Sequence, residues 1–185
     1  MKNIRKAILI VSIAFAISII FAACTNNNED MPHTVFSDYM QSEQKKADDL
    51  TEQTLIAIRD KDKAALESLF SEKVLDDAVD LDKDIDELFM FIQGNVGTFG
   101  ISEGLSDSPE IKETNDEKVI QYNCWPYIST NKNEYTLFMM IYTVDTAHPE
   151  NEGLYALQIW NAKDKNYRNA LQEDISAGVT VWHTK

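Results

Sequence analysis

NEYTLFMMIYTV, residues 133–144, reads as the strongest β-strand of the chain. Its odd positions carry Tyr135, Leu137, Met139 and Ile141, and its even positions carry Phe138, Met140, Tyr142 and Val144. Successive strand side chains point to opposite faces. Both faces are therefore apolar, and a strand of that kind is covered on both sides. Helices can cover one face. The other needs a ligand pocket, a partner subunit or the end of the chain itself.

Moving outward, KVIQYNCWPYIS (118–129) reads as the preceding strand, with Pro126 marking an edge or bulge because proline has no N–H for a ladder. VGTFGIS (96–102) is a weaker strand before it. GLYALQIW (153–160) and GVTVW (178–182) follow. TNKN (130–133) and DTAHPENE (145–152) supply the turns that make neighbouring strands hairpins. The first half has helical spacing instead. Ala47, Leu50, Thr54, Leu55 and Ile58 recur along a helix over 43–60, and Ala65, Leu66, Leu69 and Phe70 form a second short stripe. Ser71 is placed to cap SEKVLDDAV, and Leu81, Ile85, Leu88, Phe89 and Ile92 share one face of a helix that Gly94 stops. Helices first and strands afterwards give an α+β domain, with N-terminal helices packed on one face of an antiparallel sheet of about four to five strands.

The helix-then-sheet order is similar to the nuclear-transport-factor-2-like (cystatin-like) cone, which implies a curved sheet. DKDKAALESLFSEKVL (60–75), DIDELFMFIQG (84–94), GLYALQIW and AGVTVW (177–182), behind the N-terminal motif described next, resemble a family of small bacterial lipoproteins that carry a domain of unknown function. The likeness runs over about 43–182. It implies fold and location and brings no catalytic residue with it.

Lys2, Arg5 and Lys6 precede an apolar run from Ala7 to Phe21, too short for a spanning helix and of the right form for a signal peptide. Phe21-Ala22-Ala23-Cys24 resembles a lipobox, with Phe21 standing where Leu, Val or Ile is usual. The expectation is a signal peptide over 1–23, a lipidated Cys24 and a flexible tether over 24–42 reaching about 20 Å, then a single domain over 43–185. Two acyl chains anchor stably where one does not. The expected location is the outer face of the bacterial cell membrane.

Without the three N-terminal cations, the 17 Lys+Arg fall to 14 against 31 Asp+Glu, a net charge of −17. That excludes nucleic acid, which needs a basic footprint. With Cys24 acylated, Cys124 is expected as a small buried apolar residue. Asp80, Asp82 and Asp84 match the start of a calcium loop, but Ile85 and Phe91 occupy positions that need Gly and Glu. These carboxylates read better as helix N-terminal residues, with Asp80 or Asp82 as the cap. His33, His148 and His183 have no zinc spacing, and no nucleotide or nucleophile-elbow motif is present. No metal or cofactor is expected.

What remains is aromatic. Trp125, Phe138, Met140, Tyr142, Tyr155 and Trp160 are the candidate residues of a pocket or interface on the uncovered strand face. The function this supports is a surface-anchored, non-enzymatic binding or interaction module. Its partners would be the membrane, through the anchor, and a small ligand or protein, a second copy of the chain included. The alternative is an isomerase- or dehydratase-type enzyme with an acid or histidine in an apolar pocket, which the resemblance to cone folds implies.

Overall fold

The computed structural model describes residues 33–101, 109–114, 116–164 and 175–183. The chain divides into two compact units, Met1–Tyr39 and Met40–Lys185. Of the first, the described part is the opening of helix α1, where Val35 and Phe36 are exposed. Signal and acylation residues 1–24 lie outside the described residues.

Helix α1 spans His33–Asp60. It thus begins ten residues before the expected start, and residues 33–42 of the expected tether are helical. Phe36, Met40, Glu43, Ala47, Thr51, Thr54 and Ile58 stand three or four apart, so the helical period continues upstream through a stretch whose polar composition hid it. The buried stripe is partly polar, since Glu43, Thr51 and Thr54 are as buried as Ala47 and Ile58. At the C-terminus, Asp62 N–H donates to Ala57 O and Lys61 N–H to Ile58 O, with Lys61 at φ 54°. This is a Schellman closure with lysine where glycine is usual.

Asp62 then caps α2 (Lys63–Glu67) by accepting from Ala65 N–H, and Ser71 caps α3 (Glu72–Asp77) by accepting from Val74 N–H. Helix α4 covers Leu81–Phe91. Asp80 occupies its N-cap position without a side-chain cap bond, which corrects the expected cap. Asp82 is not a cap either: it and Asp86 hold Lys63 Nζ, at 2.8 and 2.7 Å, so the acidic run ties α4 to α2. Gly94 follows at φ 89°, and a Cβ there would lie 2.3 Å from Asn131 Oδ1; only glycine fits this turn into the sheet.

Seven strands form one mixed sheet: β1 Val96–Ile101, β2 Pro109–Glu113, β3 Lys118–Cys124, β4 Pro126–Thr130, β5 Glu134–Asp145, β6 Gly153–Asn161 and β7 Gly178–Val181. Strand β5 is the centre. Strand β6 pairs one of its edges, while β4 and then β3 pair the other. Strands β1 and β2 lie outside β4 and β3. The count exceeds the expected four to five for two reasons. The 118–129 run splits at Trp125 and Pro126, and the charged segment PEIKE makes an edge strand with no apolar alternation to announce it. The expected all-antiparallel pairing is also corrected, because β7 runs parallel to β6. The residues between them, 162–177, are long enough for a crossover, which a parallel pair requires.

The core lies between the helices and the odd face of β5. Tyr135, Leu137, Met139 and Ile141 are all buried there. Leu157 and Ile159 stand opposite Met139 and Leu137 on β6, and buried Cys124 stands opposite Met139 on β3. Helix α4 packs on β7 and α3 on β6. Tyr135 Oη donates to Phe91 O at 3.2 Å and accepts from Gln93 N–H at 2.9 Å, so the end of α4 is fastened to the start of β5. No described helix is long and apolar enough to cross a membrane.

Candidate functional site: an aromatic face with amides at its centre

The six residues singled out from the sequence come together on the even face of β5. Phe138, Met140 and Trp160 form a buried cluster with Ala156, against which Trp125, Tyr142 and Tyr155 pack. Trp125 sits between β3 and β4, where the strand breaks, and its ring centroid is 4.9 Å from that of Phe138 and 6.2 Å from that of Trp160. Edge-on ring contacts of this kind add specificity beyond area burial. Tyr142 and Tyr155 meet at 5.3 Å, nearly perpendicular.

Tyr155 reaches this face through a register shift. Met140 pairs with Ala156 and Ile141 with Leu154, leaving Tyr155 as the extra residue of a bulge. Strict alternation would send Tyr155 to the face opposite Ala156. The bulge sets it beside Tyr142 instead.

Sequence reasoning missed the polar part of the face. Gln158 is the cross-strand partner of Phe138, flanked along β6 by Ala156 and Trp160, and is 0 % exposed. Its Oε1 accepts from Trp182 Nε1–H at 3.3 Å, which fixes the amide's orientation, and its Nε2 has no partner. Gln121 and Asn123 stand opposite Tyr142 and Met140 on β3, and Gln121 Nε2 donates to Asn123 Oδ1 at 2.9 Å. Trp182, just after β7, and Ile175 also pack on the cluster. No sequence motif marks these amides; only the strand register brings them together.

Electrostatically the face is quiet at its centre and acidic at its rim. Burial raises the Tyr142 phenol above its ordinary range, and Tyr155, Asp145 and Glu110 add to the effect. Asp145 is buried but fully engaged, accepting from His148 N–H and from Asn151 Nδ2–H in the β5–β6 turn. Amides hold and orient a partner without exchanging protons near neutral pH. The arrangement suits recognition.

A different cavity, of about 390 Å³, opens at the far end of the sheet between α4, the β4–β5 turn and the residue after β7, lined by Glu87, Phe91, Asn133, Tyr135, Asn161 and His183 among others. His183 Nε2 lies 2.8 Å from Glu87 Oε1, and the two side chains are 62 % and 43 % exposed. His148 lies 3.3 Å from Glu150 in the β5–β6 turn, also exposed. Neither of these histidines is set inside an apolar pocket of the kind that shifts a pKa for catalysis.

No curated protein matches the sequence. A family model described as a domain of unknown function, DUF5104, matches residues 53–165, more than half of the chain. The match runs from the second half of α1 through β6 and takes in Gln121, Asn123, Gln158 and all six of the predicted aromatic-face residues. The chain belongs to this family of domains of unknown function.

Proposed function

We propose that the chain is a lipid-anchored, non-enzymatic binding module of the bacterial cell surface, held by a diacylated Cys24, that receives its ligand on the even face of β5. The domain takes the form of a nuclear-transport-factor-2-like cone, and its family is one of small lipoproteins. The observation that carries the binding role is Gln158. A fully buried amide N–H₂ without an acceptor, ringed by Trp125, Phe138, Trp160 and Trp182, costs about 1–3 kcal/mol of desolvation. An acceptor atom on a ligand of mainly apolar body offsets that cost, and pockets with an apolar lining and a few fixed polar groups are the usual form of a small-molecule site. The anchor is supported by Phe21-Ala22-Ala23-Cys24 and the cationic, apolar segment before it.

Mass spectrometry of protein taken intact from its own membrane tests both parts. The expected result is an acylated mature N-terminus at Cys24 and a small molecule that is retained by the native protein and lost from Gln158→Met. An unmodified Cys24 overturns the anchor. A native protein that retains nothing, or a Gln158→Met variant that retains the same molecule, overturns the binding face.

A further inference from the structure

A second cavity, of about 350 Å³, lies between α1 and β1, with Asp48, Thr51, Glu52, Leu55, Phe99 and Ile101 in its lining. Its size falls within the range of small-molecule sites. It shares no residue with the aromatic face.

Its polar groups are of one kind. Asp48 and Glu52, one turn apart on α1, supply carboxylates at the solvent side, with Asp48 Oδ1 already accepting from Gln44 Nε2–H. Thr51 lies between them in sequence, is 1 % exposed, and its Oγ1 has no hydrogen-bond partner. The contrast with Thr54 is informative. Thr54 Oγ1 donates back to Leu50 O at 2.8 Å, the usual way for a helical threonine to satisfy its hydroxyl. Thr51 does not do this, so a buried hydroxyl is left at the cavity wall at a cost.

The apolar side is Leu55, Phe99 and Ile101. The Phe99 ring already attracts a cation, since Arg59 Cζ lies 5.7 Å from its centroid. The Arg59 charge is itself matched by Asp60, at 2.7 Å, so the unmatched charge at the cavity is negative.

The geometry points to a site for a primary ammonium compound with an apolar or aromatic body. An ammonium group has three N–H donors and no acceptor. Asp48, Glu52 and the Thr51 hydroxyl oxygen supply three acceptors, and Phe99 with Leu55 and Ile101 receives the body. Anions are disfavoured by the two carboxylates. Neutral compounds leave them without a counter-charge. This site is independent of the aromatic face, and its success or failure leaves the role of Gln158 untouched.

The test is an NMR titration of the full chain in detergent micelles at neutral pH, following the backbone amides of Thr51, Phe99 and Gly100. The probes are 2-phenylethylamine, the neutral 2-phenylethanol and the anionic 3-phenylpropionate. Both the alcohol and the amine enter micelles, so local shifts at these amides separate binding from partition. The amine should bind at least about tenfold more tightly than the alcohol, the scale of one hydrogen bond to a charged group, and the anion should give no saturable shift. Glu52→Gln, an exposed change that spares the fold, should weaken amine binding about tenfold and reduce its salt dependence. Thr51→Val should also weaken the amine about tenfold while leaving the melting temperature of the unliganded chain unchanged or higher. Equal binding of amine and alcohol overturns the proposal, as does amine affinity that survives both substitutions.

Discussion

Met139 and Met140 are neighbours in sequence and lie on opposite faces of β5. Met139 faces the helices among Leu137, Cys124 and Leu157. Met140 faces the aromatic cluster, between Ala156 and Asn123. The two faces are equally apolar by composition but differ in how they treat polar atoms. On the helix side the Tyr135 hydroxyl both donates and accepts, closing two backbone groups at the end of α4. On the aromatic side Gln158 is buried with one hydrogen-bonding capacity spent on Trp182 and the other unspent. A face that exists only for stability satisfies its buried polar groups. A face that leaves one open marks where something else is to be held.

That contrast can be broken experimentally. The largest effect belongs to the helix face: Met139→Ala should cost about 2–5 kcal/mol in chemical denaturation, as a large-to-small truncation in a closed core does. Met140→Ala, on the aromatic face, should cost less and should alter ligand retention in native mass spectrometry. Equal losses with no change in retention make both faces ordinary core. Next comes Tyr135→Phe. Removing a hydroxyl that serves Phe91 O and Gln93 N–H should cost about 1–3 kcal/mol, read from the denaturation midpoint at constant slope.

Gln158→Met is the opposite case. It deletes the unpartnered N–H₂ and also the acceptor of Trp182 Nε1–H, so stability should move by less than about 1 kcal/mol. A loss as large as that of Tyr135→Phe means that Gln158 is satisfied in solution and the two faces do not differ. The smallest effect is spectroscopic. Tyr142 has its folded pKa raised, chiefly by burial, so its neutral form is favoured in the folded chain. Its contribution to stability is complete below the unfolded value, about 10, and is lost as pH rises through the folded value. Absorbance titration should show a late-ionising phenol that Tyr142→Phe removes. A ligand that shields the aromatic face should delay it further.

Much of the fold was legible because it is written in local periods. The stripe Leu81, Ile85, Leu88, Phe89 is buried on α4, Ser71 caps α3, Gly94 makes the turn into β1, and β5 and β6 fall within a residue or two of their expected limits. Each of these rests on neighbours three to eight residues apart. The misses share a cause. The early start of α1 was hidden by a polar stripe, β2 by its charge, and the direction of β7 by the fact that a short apolar strand reads the same in either orientation. Of the aromatic face, the apolar members could be collected from strand composition, since strand aromatics and sulfur side chains stand out. Gln121, Asn123 and Gln158 could not, because a glutamine in a strand has no signal until its cross-strand partner is known.

The sequence by itself determined the α+β class, the order of helices before strands, the double apolar character of residues 133–144 and the strongly acidic surface. These follow from side-chain spacing and from charge, which need no knowledge of what lies across space. The tertiary structure alone decided which parity of β5 meets the helices, that β7 pairs in parallel, that a bulge turns Tyr155 toward Tyr142, and that the hydroxyl of Thr51 and the amide nitrogen of Gln158 are buried without partners. Register, strand direction and hydrogen-bond satisfaction are properties of pairs far apart in the chain, and they are fixed only when packing brings those pairs together.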